Sequence, residues 1–386
     1  MIKMQTAYTE EIDEIKTAVD EILSQLDLNA LLKNSVGILT CHFDFVDSDF
    51  LGELHARLPF DIIGMTTMAS ANRNGNGMYG LSLAVLTSDD VQFETALTGA
   101  LDETNYRERM AESYNETLAK LPGKPDMIIA LFPYPRTLSG VVIPSTLDEL
   151  SGGVPIFGSL ATNLDISYDE CRSIRNDEAE QFAMAMILMH GAVDPDFVVV
   201  SIPEQRISEN RAVITDSEGC IMKEINDVPV LDYLNSIGVV IMKNASTTTP
   251  FMVYYEGSTK PVALGVFTVN DDGTLLCGGE MTKGSQIAIG EISPAGIKLS
   301  AEQAMQQLLA SKKSGGVLMF PCVTRYVMLS PDKGAELELV TDTMAQNAAV
   351  PYTLGYSGGE FCPVKDESGK YVNRFHNYTF SACIFG

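Results

Sequence analysis

Val317-Leu318-Met319-Phe320-Pro321-Cys322 is a short apolar run, and Pro351-Tyr352-Thr353-Leu354-Gly355 follows it further along the chain. Runs of this length and composition are typical of strands buried on both faces of a sheet. A helical segment is expected between them, within Glu336 to Ala348, and Tyr378 to Phe385 reads as a closing strand. Because a strand–helix–strand order implies parallel pairing through a right-handed crossover, this stretch predicts an α/β unit.

The same order of elements occurs twice earlier in the chain. The first copy contains Val36 to Cys41, Pro59 to Gly64 and Leu81 to Leu86, and the second contains Met127 to Phe132, Pro155 to Gly158 and Phe182 to Leu188. A Pro and a Gly bracket each middle strand, although they stand five, three and four residues apart in the three copies. We therefore predict an α/β fold with mixed sheets built from repeated strand–helix–strand units, arranged in two domains.

The domain prediction divides the chain into an N-terminal helix (1–32), an N-terminal α/β domain (33–205) and a C-terminal α/β domain (206–386). The helix is expected from about Thr9 to Leu28, because apolar residues recur there at steps of three and four. It either docks on its own domain or pairs with a partner helix, since the same spacing fits a coiled coil. The polar, turn-rich stretch Arg206 to Gly219 marks the boundary between the two larger domains.

Composition excludes several classes of function. The 386-residue chain has a formal net charge of −25, which repels nucleic acid and anionic lipid. It shows no secretory signal and no run of about 18 apolar residues, so we expect a cytoplasmic protein without a membrane span. Its seven cysteines are widely spaced and contain no Cys-x-x-Cys, and it has four histidines. We therefore predict reduced thiols, no metal site and no cofactor.

Polar side chains follow the strands of the third copy. Cys322 and Arg325 come after its first strand, and Gly359 and Glu360 come after its second. Because ligands in open α/β sheets gather beyond the carboxyl ends of the strands, these groups are expected to share one rim. Arg325 could clamp a carboxylate and Glu360 could hold an ammonium, while Gly359 would let the backbone approach a ligand. Together they suit a zwitterion such as an amino acid.

His376 and Asn377 stand just before the last strand and are expected on the same rim. Each candidate also has a structural explanation. Cys322 could be a buried, inert thiol, Arg325 could pair with an acidic residue on the surface, and His376-Asn377 could form a turn. Two further loops follow the middle strands of the other two copies, Met65 to Ser70 and Ser159 to Asn163. They offer hydroxyls and backbone amides, and they could form a second binding surface.

Three motifs of the third copy resemble the C-terminal FIST domain: Phe320 to Arg325, Leu354 to Glu360, and His376-Asn377-Tyr378-Thr379. Ala212 to Leu234 is similar to the opening of that domain. The N-terminal half, with Ile63 to Thr67 and Phe157 to Ala161, resembles the N-terminal FIST domain, although Asn163 stands where an acidic residue is expected. The resemblance implies a sensory module of bacterial signal transduction that binds small ligands such as amino acids. It carries over Cys322, Arg325, Gly359, Glu360, His376 and Asn377 as ligand-binding residues.

The leading hypothesis is therefore a cytosolic sensor that binds a small polar ligand and signals through a separate output protein. The alternative is a cysteine-dependent enzyme acting on a small acyl or amide substrate, with Cys322 and His376 as its catalytic pair. A third hypothesis is an interaction protein that uses its N-terminal helix.

Overall fold

The computed structural model describes residues 1–133, 138–163, 168–241, 249–258, 260–347 and 350–386. Three units of the same design form the body of the molecule. The first unit consists of β1 (Ile2–Thr9), α1 (Ile15–Ser24), β2 (Asn34–Cys41), α2 (Phe50–His55), β3 (Ile62–Thr66), β4 (Ser70–Asn72), β5 (Gly75–Gly77) and β6 (Leu81–Ser88). The second consists of β7 (Val91–Leu97), α3 (Tyr106–Leu118), β8 (Met127–Phe132), α4 (Val142–Ser151), β9 (Ile156–Leu160), β10 (Ser173–Arg175), β11 (Glu178–Glu180) and β12 (Ala185–Gly191).

The third unit is interrupted after its first strand by an inserted, β-rich domain. It begins with β13 (Asp196–Val200). The insert contains β14 (Ala212–Glu218), β15 (Ile221–Ile225), β16 (Val228–Pro229), α5 (Val230–Ser236), β17 (Phe251–Tyr254), β18 (Val262–Leu264), β19 (Val266–Val269), β20 (Leu275–Cys277) and β21 (Gln286–Ile289). The unit resumes with α6 (Pro294–Ala310), β22 (Gly316–Pro321), α7 (Val323–Met328), α8 (Ala335–Gln346), β23 (Tyr352–Gly355), β24 (Glu360–Lys365), β25 (Tyr371–His376) and β26 (Phe380–Phe385).

The three units exchange hairpins in a cycle. Their six-stranded sheets have the orders β1-β6-β2-β3-β10-β11, β7-β12-β8-β9-β24-β25 and β13-β26-β22-β23-β4-β5. The hairpin of the first unit thus completes the third sheet, that of the second completes the first, and that of the third completes the second. In each sheet the two middle strands of the unit pair in parallel, as β2 with β3, β8 with β9 and β22 with β23. The prediction of an α/β fold built from repeated strand–helix–strand units is confirmed.

The inner faces of the three sheets share one apolar core. Ile38 from the first unit, Ile129 and Phe157 from the second, and Phe320 from the third belong to it. The rings of Phe157 and Phe320 stack with their centroids 5.3 Å apart. Helices cover the outer faces in three separate clusters, with α1 and α2 on the first sheet, α3 and α4 on the second, and α6 and α8 on the third. Burial on both faces explains why these strands read as continuous apolar runs.

The N-terminal segment differs from the expectation of a helix spanning 1–32. Its first part is strand β1, which pairs with β6 over its whole length. Helix α1 is shorter than predicted, and its apolar residues Ala18, Val19 and Ile22 pack on its own unit. The predicted boundary at 206 falls between β13 and β14, at a 3₁₀ helix formed by Glu204–Arg206. Two further 3₁₀ helices lie at Leu28–Ala30 and Phe43–Phe45.

Candidate functional site

A buried polar cluster lies where β22 ends and where β24 and β26 begin. Cys322 follows β22, Glu360 opens β24, and Thr379 precedes β26. Ser357 lies opposite Cys322, to which it is joined by a parallel bridge. All four side chains are buried. The structure therefore brings Cys322 and Glu360 together at one rim, and it adds two hydroxyl-bearing residues that were not among the predicted site residues.

Glu360 is a fully buried carboxyl group that is only half satisfied. Its Oε2 accepts hydrogen bonds from the Thr379 hydroxyl (2.5 Å) and the Thr379 backbone N–H (3.3 Å). Its Oε1 is buried and accepts no hydrogen bond of good geometry, although the Ser357 hydroxyl and the Cys322 thiol lie close enough to stabilise a charge on the carboxyl. Burial raises the pKa of Glu360, and the nearby hydroxyls of Thr379 and Ser357 and the Cys322 thiol only partly oppose this effect. The protonated form is therefore favoured, because no described cation compensates a charge there.

Cys322 is held by its backbone and kept in the thiol form. Its N–H donates to the Thr379 carbonyl oxygen at 2.9 Å. Burial raises the pKa of the Cys322 thiol above its usual range, and ionisation of the neighbouring Glu360 raises it further. A nucleophilic cysteine needs the opposite shift, because the thiolate is the reactive form.

His376 is directed to its own hairpin and not to Cys322. His376 and Glu360 are register partners across β25 and β24. The imidazole Nε2 nevertheless lies 2.9 Å from the Cys362 carbonyl oxygen. Because a carbonyl oxygen only accepts hydrogen bonds, this contact assigns the proton to Nε2. Burial lowers the pKa of His376 to about 4. Both members of the predicted catalytic pair are thus held neutral, which does not favour a thiolate–imidazolium arrangement.

Arg325 requires a correction to its expected role as a carboxylate clamp. Helix α7 turns the side chain back into the third unit, where Nε donates to Glu336 Oε1 at 2.8 Å and Nη2 donates to the same oxygen. Its remaining bonds go to the carbonyl oxygens of Tyr378 and Ile297, each at 3.2 Å. Arg325 and Glu336 are both buried, so this is not the surface ion pair considered as its alternative. Four of the five guanidinium donors are thus bonded to the protein, and the group supports the turn that carries Thr379.

Asn377 connects the cluster to the inserted domain. Its N–H donates to the Ala263 carbonyl oxygen (2.9 Å), and its Oδ1 accepts from the Gly265 N–H (3.0 Å). The next residue, Tyr378, has a φ of 60°, a left-handed conformation that reverses the chain towards Thr379. The His376-Asn377 pair therefore does form a turn, and that turn ties the insert to the residue that hydrogen-bonds Glu360.

Gly359 packs closely against the ring of Phe375. A Cβ at this position would lie 2.4 Å from Cζ of Phe375, so the ring would have to shift to admit a side chain. Its N–H donates to the Ser357 hydroxyl oxygen at 3.0 Å, and its carbonyl oxygen accepts from the Leu160 N–H at 2.8 Å. The glycine lets a strand junction from the third unit pass close to the second, and its backbone groups are already hydrogen-bonded.

The corresponding loops of the first two units hold the centre of the molecule together. The Thr67 and Thr162 hydroxyls both donate to the Tyr356 carbonyl oxygen, at 2.9 and 3.2 Å. The Thr162 N–H donates to the Thr66 carbonyl oxygen at 3.1 Å. The sequence offers these loops as a second binding surface, and in the structure the hydroxyls of Thr67 and Thr162 join the three units.

Equivalent positions in the three sheets show that the cluster is particular to the third unit. The residue that opens each exchanged hairpin pairs with the same point of a middle strand: Ser70 with Gly355, Ser173 with Met65, and Glu360 with Ser159. The strand registers likewise align Cys322 with His42 and Pro133, and Thr379 with Gly80 and Ala183. Only the third unit combines a thiol, a carboxyl and a hydroxyl at these three places.

The FIST N domain matches residues 35–228, and the FIST C domain matches residues 230–363. The chain belongs to the FIST family. FIST domains are small-ligand-sensing domains of signal transduction. No curated protein matches the chain. Among solved structures, the chain is similar to a cyanuric acid hydrolase at 7% identity and a TM-score of 0.36, with all of both chains covered. A likeness this low says nothing about activity.

Metal binding and membrane crossing can both be judged from the described part of this FIST protein. No group of three or more His, Cys, Asp or Glu residues there could hold a metal ion. None of the helices in the described ranges is long and apolar enough to cross a bilayer.

Proposed function

We propose that this FIST protein is a cytosolic sensor of bacterial signal transduction that binds a small, polar, amine-bearing ligand at the cluster of Cys322, Ser357, Glu360 and Thr379. Amino acids are the ligand class that the family resemblance suggests. The geometry of Glu360 supports recognition of the amine end. Arg325 is engaged by Glu336 and does not supply recognition of a carboxylate end.

The observation that carries the proposal is the unpartnered Oε1 of Glu360. A buried polar atom without a hydrogen bond costs about 1–3 kcal/mol, so a ligand that donates to Oε1 would recover part of that cost. A ligand ammonium offers three donors and a positive charge, which would satisfy Oε1 and stabilise the carboxylate form. The equivalent positions in the other two units, Ser70 and Ser173, carry hydroxyls and no carboxylate that could pair with the charge of an ammonium.

Proton release gives this mechanism a signature. In the free protein the pKa of Glu360 is raised by burial, and an ammonium placed against it would lower that pKa again. Below the raised pKa, binding of an ammonium therefore expels the Glu360 proton. Affinity should rise with pH until Glu360 is ionised in the free protein, because less free energy is then spent on deprotonation.

Calorimetry with a panel of amino acids tests the proposal, with the corresponding 2-hydroxy acid of each binder as a matched ligand that lacks the amine. Titrations in two buffers of different ionisation enthalpy count the protons released. We expect Glu360→Gln to weaken amino-acid binding by about 10- to 100-fold and to abolish proton release, since a charged hydrogen bond is lost. Ser173→Ala, at the equivalent position of the second unit, is the control and should leave both unchanged.

Equal binding of an amino acid and its hydroxy-acid counterpart would argue against recognition of the amine. Unchanged affinity in Glu360→Gln would remove Glu360 from the site. Because Glu360 is fully buried, a ligand reaches it only when its surroundings open, and we expect association slower than about 10⁵ M⁻¹s⁻¹ in stopped-flow measurements.

The signal would leave through the inserted domain to a separate output protein. The turn at Asn377 links Ala263 and Gly265 of the insert to Thr379, which hydrogen-bonds Glu360. A change in the charge of Glu360 would alter the hydrogen bonds of Thr379. Through the turn at Asn377 it would then alter the contact between the inserted domain and the third unit. Hydrogen exchange around residues 262–265 should change on ligand binding in the wild type and not in Glu360→Gln.

A further inference from the structure

A cleft of about 850 Å³ separates the inserted domain from the second sheet. One wall consists of α4 and the edge strand β25, which the third unit lends to that sheet. The other wall consists of the segments that follow β17 and precede β21. The cleft is lined by described residues that are distinct from the Cys322 and Glu360 cluster. Its volume is in the range of small-molecule sites.

Arg374 is the unusual residue of this cleft. Its guanidinium lies over the ring of Tyr255, with Cζ 4.6 Å from the ring centroid. Its Nε is buried and has no hydrogen-bond partner. No carboxylate among the described residues forms an ion pair with it. A stacked, oriented guanidinium with unused donors is prepared to receive an anion, and the planar fork fits a carboxylate with two bonds.

The outer part of the cleft has the opposite charge. Glu256, Glu280 and Glu367 line it and are exposed, and within the described ranges none of them forms an ion pair. The exposed Lys283 lines the same cleft and offsets one of these negative charges. Such a rim repels a ligand with several negative charges and attracts a cationic group. A second stacked pair, Arg211 over Tyr254 at 3.8 Å, lies at the same cleft, but Arg211 is exposed and already donates to Gln286.

We propose that this cleft is a second ligand site, which binds a zwitterion of separated charges with its carboxylate on Arg374 and its cationic group towards the acidic rim. The site is independent of the one proposed at Glu360. Tyr255 stacks on the Arg374 guanidinium and orients it, and this single inner arginine sets the direction of the ligand.

Three probes of similar length separate the charge patterns: 6-aminohexanoate, glutarate and 1,5-diaminopentane. Calorimetry uses the full chain, both as wild type and as Glu360→Gln, in which binding at the other site is weakened. We expect 6-aminohexanoate to bind both forms equally and better than the dianion or the dication. Arg374→Gln should lose at least about tenfold in affinity, and the matched Arg211→Gln should lose less than about threefold.

Arg374→Lys keeps the positive charge but lacks the planar guanidinium, and it replaces Arg374→Gln in the experiment if that variant does not fold. It should also bind 6-aminohexanoate more weakly than the wild type does. Phenylglyoxal modification of the wild type, read by peptide mass, gives a measurement without substitutions: 6-aminohexanoate should protect Arg374 and leave Arg211 reactive. The proposal is overturned by unchanged affinity in the Arg374 variants, by equal binding of the three probes, or by no protection of Arg374 at about 10 mM probe. Loss of binding only in Glu360→Gln would place the ligand at the other site.

Discussion

Replacing Arg325 with Met tests whether this residue supports the structure or binds the ligand. The substitution keeps an apolar stem but removes all four hydrogen bonds of the guanidinium, two of them to Glu336 Oε1. It leaves Glu336 as a buried charge without a partner, since Oε2 of Glu336 has no hydrogen bond even in the wild type. Breaking a buried pair in this way costs about 3–5 kcal/mol, so Arg325→Met should lower the free energy of unfolding by that amount.

Two controls accompany Arg325→Met: a double variant that removes both charges of the buried pair, and a substitution in an exposed ion pair. Arg325→Met with Glu336→Met removes both charges, and an apolar replacement of a buried pair is often neutral or stabilising, so most of the lost stability should return. Arg107 and Glu149 form an ion pair of 2.8 Å whose side chains are 63% exposed, and Arg107→Met should cost less than about 1 kcal/mol.

Urea unfolding followed by circular dichroism gives the stabilities, and calorimetry gives the ligand affinity of the folded variants. If Arg325 acts only as a positioning residue, the double variant should retain binding. A cost below about 1 kcal/mol for Arg325→Met would refute the buried ion pair. Loss of ligand affinity in a stable double variant would return Arg325 to the ligand site.

Three further outcomes follow from the cluster. Gly359→Ala places a Cβ 2.4 Å from Phe375 Cζ, so we expect a loss of about 1–3 kcal/mol in urea unfolding and partial recovery when Phe375→Leu is added; full stability of the single variant would contradict the packing. The folded pKa of Glu360 lies above its unfolded value, so its contribution to stability is greatest at low pH and is lost as the pH rises from the unfolded towards the folded pKa. Glu360→Gln should therefore gain stability over the wild type with rising pH, and a constant difference across this range would count against the raised pKa. Iodoacetamide should label the partly exposed Cys220 before the buried Cys322, which should react only on unfolding; early labelling of Cys322 at neutral pH would revive the enzyme hypothesis.

The sequence predicted the repeated units because each middle strand pair is local and buried on both faces. It did not reveal the exchange of hairpins. Ser70–Asn72 and Gly75–Gly77 are three-residue strands with no usable periodicity, and their partner Tyr352–Gly355 lies far along the chain. The register also shows that Gly64 and Gly158 are equivalent, whereas Gly355 is one position later. Pro155 and Pro351 are equivalent, whereas Pro59 is two positions earlier, and these two offsets explain the uneven Pro-to-Gly spacing.

At the site, too, local features could be predicted from the sequence, whereas contacts between distant segments could not. Cys322 and Glu360 could be placed together because the ends of two parallel strands share a rim. Arg325 could not be placed, because its direction depends on α7 and on Glu336 in α8. Thr379 could have been suspected from its place at the start of the last strand, in register beside Cys322. Nothing local in Tyr371–His376 distinguishes Arg374, whose environment is created by an inserted domain that packs against the strand edge.

The central claim is that Glu360 receives the amine of a small ligand. An experimental structure of the protein with the best-binding amino acid tests it most directly. The account predicts the ligand nitrogen within about 3 Å of Glu360 Oε1, with the Thr379 hydroxyl still bonded to Oε2. A ligand bound elsewhere while Oε1 remains without a partner, or an Oε1 bonded only to a protein group, would contradict it.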